Sequence, residues 1–112
     1  MAVVNQYKFY GVTLTTTAET TMFGASSPSA TETYIIKSFR VTNNTGNAPT
    51  ITIKNNTFAI ENTKTLSANA SVEILTLPLI VEGDTLLKVT MSSSDSVTIG
   101  ISYLNIKKEV TT

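Results

Sequence analysis

Apolar and polar residues alternate strictly from Ser96 to Tyr103 in SVTIGISYLNI, residues 96–106, and this pattern constrains the fold more than any other part of the sequence. Because successive side chains of a β-strand point to opposite faces, the pattern predicts a half-buried strand. Four residues are predicted to face the core: Val97, Ile99, Ile101 and Tyr103. Leu104 and Ile106 fall on the opposite face, which predicts a bulge or burial on both sides near the end of this strand.

A second strand is predicted in TYIIKSFRVTN. Its core-facing residues are predicted to be Ile35, Phe39 and Val41. Ile36 and Lys37 interrupt the alternation, so we expect a local irregularity at this point. The segment NNTGNAP then predicts a turn, and TITIK resumes the alternation with Ile51 and Ile53 facing inward.

Shorter strand patterns fill the rest of the chain, separated by breaks at KNN, SAN, Pro78 and Gly83. They are TFAIE, ASVEIL, PLIVE and TLLKVTM. Turn signals about every 8–12 residues are typical of antiparallel sandwiches and barrels. A length of 112 residues suits one core. The sequence therefore predicts an all-β, single-domain antiparallel β-sandwich of the jelly-roll or Ig-like type.

The first thirty residues differ from this body. NQYKFYGVTLTTT has a strand-like pattern, whereas TMFGASSPSA is typical of a loop. We therefore divide the chain into an N-terminal arm or edge strand with its linker, residues 1–30, and a β-sandwich body, residues 31–112. Contacts with other molecules are predicted for apolar residues of the first segment: Val3, Val4, Tyr7, Phe9, Tyr10 and Val12. The alternative, that this segment is the first strand of its own sandwich, fits the sequence equally well.

The side-chain chemistry argues against an enzyme. The chain has no cysteine and no histidine, the residues that most often supply nucleophiles, proton shuttles and transition-metal ligands. Basic and acidic residues balance at 8 each and are scattered, so nucleic acid is not an expected partner. No stretch approaches the roughly 20 apolar residues of a spanning helix, and the N-terminus has no signal-peptide pattern, so no membrane partner is expected. We expect no catalytic residues, no cofactor and no metal.

Glu82 and Asp84 flank Gly83 and are the strongest candidate for a metal site. A calcium site needs about six to eight oxygen ligands, and the apolar flanks supply no further acids. We interpret the segment as a hairpin turn. In this interpretation Gly83 has a positive φ angle and Asp84 hydrogen-bonds to its own backbone.

Three segments together resemble the small all-β virion proteins of tailed bacteriophages: TYIIKSFRVTNNTGNAPTITI, LSANASVEILTLPLIVEGDTLLKV and SVTIGISYLNI. In that family an I-K-S-x-x-V-T-N strand leads into a glycine and asparagine turn. An L-x-x-x-x-S-x-E segment precedes an apolar strand, and G-D-T-L precedes a closing strand that ends in S-Y-L. The resemblance covers about residues 33–106 and consists of strands and turns rather than a catalytic signature.

The resemblance implies a structural protein that is located in the virion and made in the host cytoplasm. We expect a capsid decoration or cement protein, with a neck or tail adaptor as the alternative. The implied partners are copies of itself, in a homo-oligomer such as a trimer or ring, and the major capsid protein or other virion proteins. A glycan-binding β-sandwich module is a second alternative, in which Tyr7 and Phe9 on one strand face would form an aromatic platform.

Overall fold

The computed structural model describes residues 3–23, 28–83 and 85–108, and within these ranges the chain forms nine β-strands. They are β1 (Val3–Leu14), β2 (Thr20–Thr21), β3 (Glu32–Asn43), β4 (Thr50–Asn55), β5 (Phe58–Thr65), β6 (Ser71–Glu73), β7 (Leu79–Val81), β8 (Leu87–Met91) and β9 (Val97–Lys108). Valine, isoleucine and threonine are frequent in these segments, as expected for half-buried pleated strands. The described residues include no helix that is long and apolar enough to cross a membrane.

The strands form two antiparallel sheets that enclose one core. The strand order of the five-stranded sheet is β1-β9-β3-β6, with β7 also paired to β3, and that of the four-stranded sheet is β2-β8-β4-β5. The pairs are nested, β1 with β9, β2 with β8, β3 with β6 and β4 with β5, which is the winding of a jelly roll. The predicted antiparallel β-sandwich is confirmed, and its topology is the jelly-roll alternative rather than the Ig-like one.

The core lies between the two sheets and is built from alternate residues of the facing strands. The four predicted residues of β9 are all buried: Val97, Ile99, Ile101 and Tyr103. Ile51 and Ile53 of β4 are buried from the opposite sheet, as predicted. Full burial of such a side chain stabilises the fold by about 1.5–3 kcal/mol. The remaining buried apolar side chains are Leu14, Met22, Tyr34, Ile36, Phe39, Val41, Leu66, Val81, Leu87, Val89 and Met91.

A β-bulge in β3 changes which residues of that strand face the core. The register with β9 shifts between Ile36 and Ser38, so Lys37 has no residue opposite it. The extra residue changes which alternate positions of the strand face the core. Ile36 is buried before the bulge, and Phe39 is buried after it. The predicted irregularity is confirmed. The prediction that Ile35 faces the core is wrong, because this residue precedes the bulge and lies on the outer face, only partly buried.

Burial on both sides accounts for the out-of-phase residues at the end of β9. The pairing of β9 with β1 continues through Leu104 and Ile106 without a register shift. Both residues are partly buried, while Asn105 between them is buried on the inner face. Of the two predicted alternatives, a bulge in this strand or burial on both sides, the second is therefore present.

β1 lies at one edge of the five-stranded sheet. It pairs antiparallel with β9 along its whole length, from Val3 opposite Lys108 to Leu14 opposite Val97. Within one chain the segment therefore has the position of an edge strand in its own sandwich. The proposed division of the chain at residue 30 stays a prediction.

Candidate functional site

The outer face of the five-stranded sheet, which points away from the core, carries side chains in rows that cross the strands. One row consists of hydroxyl groups. Thr13 is opposite Thr98, which is opposite Thr42, and Ser71 of β6 is opposite Thr42 on its other side. The side-chain oxygens of Thr42 and Ser71 lie 2.7 Å apart, and those of Thr13 and Thr98 lie 3.4 Å apart. This row satisfies part of its hydrogen bonding within the sheet.

Towards the other end of the sheet, the same face is apolar. Tyr7 of β1 is opposite Leu104 of β9. Beyond Leu104 lie Ile35 of β3 and then Ile80 of β7. We call these four residues the apolar row. The side chains at its two ends are largely open to solvent, Tyr7 being 79% and Ile80 54% exposed. The row therefore presents apolar surface across four neighbouring strands.

Phe9 lies between the hydroxyl row and the apolar row. Its ring rests on two glycines that face each other, Gly11 of β1 and Gly100 of β9. A Cβ atom on Gly100 would lie 3.2 Å from the ring, and one on Gly11 would lie 3.1 Å from it. The glycines thus leave a shallow trough in which the ring lies along the sheet. The ring is nevertheless 70% exposed.

A shallow groove of about 230 Å³ runs beside the Phe9 ring. Its polar lining consists of Ser38, Arg40, Thr42, Thr98 and Ser102. Hydroxyl groups and a guanidinium can hydrogen-bond to a ligand, while the aromatic face offers an apolar contact. The groove can therefore hold a molecule that combines hydroxyl groups with an apolar face, as a sugar does.

Glu73 of β6 secures the bulge of β3. Its Oε2 accepts hydrogen bonds from the backbone amides of Phe39 at 2.7 Å and Leu75 at 3.3 Å, and its Oε1 accepts one from the Ser38 hydroxyl. Partial burial raises the pKa of Glu73, but these three hydrogen bonds and the nearby Arg40 outweigh it, so the pKa lies below its ordinary value. The ionised carboxylate therefore supplies a hydrogen-bond acceptor to the Phe39 amide, beside the bulge.

Glu32 ties the loop before β3 to the inner face of the sheet. Its Oε1 accepts a hydrogen bond from the Ser29 amide, and its Oε2 accepts one from Nδ2 of the buried Asn105, both at 3.1 Å. The Ser29 amide contributes most to holding the pKa of Glu32 below its ordinary value. Burial opposes this shift, and Asn105 and Lys107 support it. Glu32 and Glu73 thus both serve as structural anchors.

The predicted contact residues of the N-terminal segment lie on different faces. Tyr7 and Phe9 lie on the outer face and are exposed. Tyr10 and Val12 point to the inner face and pack against the core, with the Tyr10 ring centroid 5.1 Å from that of Phe23. The side chains of Val3 and Val4 lie outside the described part of the chain. The structure therefore brings two of the six residues, Tyr7 and Phe9, together on one open surface.

The segment around Glu82 forms a turn, but the prediction of a hairpin is wrong, because β7 before the turn and β8 after it belong to different sheets. The backbone amide and the hydroxyl of Thr85 donate hydrogen bonds to the Glu82 carbonyl oxygen at 3.2 and 2.7 Å. Asp84 lies outside the described residues, so its part in the turn stays a prediction. The prediction of a positive φ angle at Gly83 is wrong. Glycine is required there because a Cβ atom would lie 2.5 Å from the Ser29 carbonyl oxygen. Within the described ranges no three acidic side chains gather into a cluster that could hold a metal ion.

Sequence reasoning did not identify the apolar row as a surface. Leu104 gave a partial signal, because its apolar side chain falls on the otherwise polar face of its strand. Ile35 falls on the predicted core face because the alternation does not show where a bulge inserts its extra residue. Ile80 comes from a strand of three residues, which is too short for its facing to be predicted.

No protein-family model and no curated protein matches the chain. Two solved structures share its fold. One is a chain from Bacillus endospore appendages, a family of disulfide-linked pili. It has 12% identity over 96% of this chain and 89% of that chain, with a TM-score of 0.52. The other comes from the virus-like particle of the extra small virus of the giant freshwater prawn Macrobrachium rosenbergii. It has 12% identity over 98% of this chain and 82% of that chain, with a TM-score of 0.54. At this identity the likeness shows the fold alone, and nothing in it is specific to tailed bacteriophages.

Proposed function

We propose that this chain is a structural protein of a bacteriophage virion, and specifically a capsid decoration or cement protein that stabilises the particle through protein–protein contacts. The motif resemblance supports the phage assignment. The jelly-roll neighbours support it in a general way, because their structures are of a pilus and a virus-like particle. The observation that carries the proposal is the exposed apolar surface of the outer sheet face.

The size of this surface suits a contact with another protein. Tyr7 and Phe9, 79% and 70% exposed, together offer roughly 300 Å² of aromatic surface. The other members of the apolar row extend this surface across the sheet. The largest apolar patch on a typical monomer is roughly 300–600 Å² and is often functional. A rigid sheet face with such a patch can bury it against a capsid shell without ordering a loop.

The chain has no cysteine, so its contacts with other proteins cannot include disulfide bonds. The Bacillus endospore appendages, in contrast, are disulfide-linked pili. A cement protein without cysteine depends on apolar burial, shape complementarity and backbone hydrogen bonds for its attachment.

Immunogold labelling of intact phage particles with an antibody against this chain tests the proposal. A decoration protein should give label over the whole capsid surface. Label confined to the junction of head and tail, or to the tail, would support the neck or tail adaptor instead. Particles without label, although the protein is present in the infected cell, would contradict a virion role.

Glycan binding is a second candidate, favoured by the groove beside Phe9. The groove combines an exposed ring with Arg40 and hydroxyl groups. Binding of soluble oligosaccharides, measured by NMR titration, should then be lost in Phe9→Ala and Arg40→Ala. The control is Phe58→Ala, which removes an exposed ring from the other sheet. Absence of binding by the unmodified protein, or equal binding by all variants, would exclude this candidate.

A further inference from the structure

Three of the four sheet edges in the described part of the chain are interrupted. β2 contains two residues. The far edge of the five-stranded sheet is divided between β6 and β7, which have three residues each. β5 shifts its register with β4 twice, and Thr63 within it has a φ angle of 53°. Short strands and bulges are the means by which proteins prevent edge-to-edge pairing with other chains.

The fourth edge, β1, has none of these interruptions. It contains 12 residues, and its register with β9 runs without a shift from end to end. Lys8 is its only charged residue, and it contains no proline. Among the described residues no strand other than β9 pairs with it. One side of β1 therefore presents a long, regular row of backbone donors and acceptors that can pair with another strand.

We infer that β1 pairs antiparallel with β1 of a second copy of this chain, so that two five-stranded sheets join into one continuous sheet about a twofold axis. The second copy is the fitting partner because, among the sheet edges formed by the described residues, only its own β1 offers an uninterrupted edge of equal length. Pairing of the same edge on both copies is closed and gives a dimer rather than a filament. The inference rests on the proposed function, since it specifies how this structural subunit self-associates.

Two conditions fix the register of the proposed pair. In a continuous sheet, opposed residues point to the same face, so the outward positions of β1 must oppose outward positions. Like charges placed directly opposite are destabilising, which excludes the register with Lys8 opposite Lys8. The longest remaining register places Phe9 opposite Phe9 on the twofold axis and Lys8 opposite Tyr10. It also places Tyr7 of each copy opposite Gly11 of the other, so exposed rings from both copies gather along the seam.

Disulfide trapping tests this register. Because the chain has no cysteine, a single introduced cysteine can form a disulfide only with the same cysteine of another copy. Phe9→Cys places the two thiols opposite each other, within the Cα separation of about 4.4–6.8 Å that a disulfide spans. Tyr7→Cys is the control, because its two copies would lie four residues apart along the strands, about 13 Å. Oxidised Phe9→Cys should give a covalent dimer of two 12.0 kDa chains, while Tyr7→Cys should remain largely a single chain. No Phe9→Cys dimer, or equal trapping of both variants, would overturn the inference.

Light scattering after size-exclusion chromatography gives a second measurement that needs no thiol. The unmodified protein and Phe58→Glu should both have the mass of a dimer, and Phe9→Glu should have that of a monomer because two carboxylates would meet on the axis. Circular dichroism checks that both variants are folded. An unmodified protein that is monomeric, or that forms open-ended polymers, would contradict the twofold pairing.

These outcomes separate the inference from the proposed function. A trapped dimer together with unlabelled virions would support the edge pairing and contradict the virion role. Labelled virions together with no disulfide-linked dimer of Phe9→Cys would support the virion role and contradict the edge pairing.

Discussion

The hydroxyl of Ser38 donates a hydrogen bond to the carboxylate of Glu73, although 35 positions separate the two residues in the chain. Ser38 belongs to the I-K-S segment of the phage-like pattern and Glu73 to its S-x-E segment. The contact therefore gives a physical reason for two parts of that pattern, because together they hold the bulge of β3 against β6. These motif residues support the sheet.

Removing this anchor should destabilise the sheet. Glu73→Ala leaves the backbone amide of Phe39 without its partner, which should lower the free energy of unfolding by about 1–3 kcal/mol. Urea denaturation measures the change. Glu82→Ala is the control, because it removes an exposed carboxylate, while the hydrogen bonds seen among the described residues of this turn go to the Glu82 backbone carbonyl oxygen. Equal urea midpoints for the two variants would contradict the assigned role of Glu73.

Stability should also fall at acid pH. The pKa of folded Glu73 lies below its ordinary value of 4.5, because hydrogen bonds to the carboxylate outweigh the effect of burial, and that of Glu32 shifts in the same direction. As pH falls, the unfolded chain binds these protons first. The stabilisation is therefore complete above about pH 4.5 and is lost as pH falls through the lower, folded-state pKa values. Urea midpoints followed with pH should decline below 4.5, and less steeply in Glu73→Gln. An unchanged slope in this variant would remove Glu73 as a source of the acid sensitivity.

The core assignment of β9 predicts a severe effect at Ile99. This side chain is fully buried, so Ile99→Asp would bury an unpaired charge and cost about 3 kcal/mol or more. Ser102→Asp, on the exposed outer face of the same strand, should melt close to the parent. Thermal denaturation followed by circular dichroism compares the two. An Ile99→Asp variant with the parental melting temperature would show that the core is placed wrongly.

Two glycines outside the strands should differ in their tolerance of alanine. A Cβ atom on Gly83 would lie 2.5 Å from a backbone oxygen, whereas one on Gly46 would meet nothing within 4 Å. Gly83→Ala should therefore lower the free energy of unfolding by about 1–3 kcal/mol, the cost of a forced backbone shift. Gly46→Ala should change it by less than about 1 kcal/mol in either direction. Similar denaturation curves for both variants would mean that the loop at Ser29 is not packed against Gly83.

The turn at Glu82 and Asp84 should not bind calcium. Asp84→Asn should keep most of the stability, because an amide can make the same local hydrogen bond. Melting temperatures with and without calcium should agree, for the parent and the variant alike. A marked rise with calcium in the parent would contradict the turn interpretation, since a ligand that binds only the folded state must stabilise it.

The sequence was sufficient to predict which residues face the core in the strands whose alternation is regular. Ile99 and Ile101 could be placed in the core because one face of β9 is apolar at every second residue. Ile35 could not be placed, because the bulge at Lys37 changes the phase without any turn residue to mark it. Similarly, the need for glycine at position 83 arises from a loop more than fifty residues earlier in the chain, which no local pattern reports.

The candidate surface was harder to predict than the fold. Tyr7 and Phe9 could be recognised as sharing one strand face, but the rest of their row depends on register. Tyr7 meets Leu104, and Leu104 meets Ile35, only because three strands distant in sequence are aligned side by side. The exposed edge of β1 is likewise a property of strand order, because the same segment in the middle of a sheet would have no free side.

A cryo-EM reconstruction of the intact phage particle tests the central claim most directly, that this jelly roll is a structural part of the virion which buries its apolar outer face. We predict density for this fold on the outside of the capsid shell, with Tyr7, Phe9 and the rest of the apolar row covered by neighbouring protein. A particle without this density, or one in which the outer face of the five-stranded sheet is fully open to solvent, would contradict the claim.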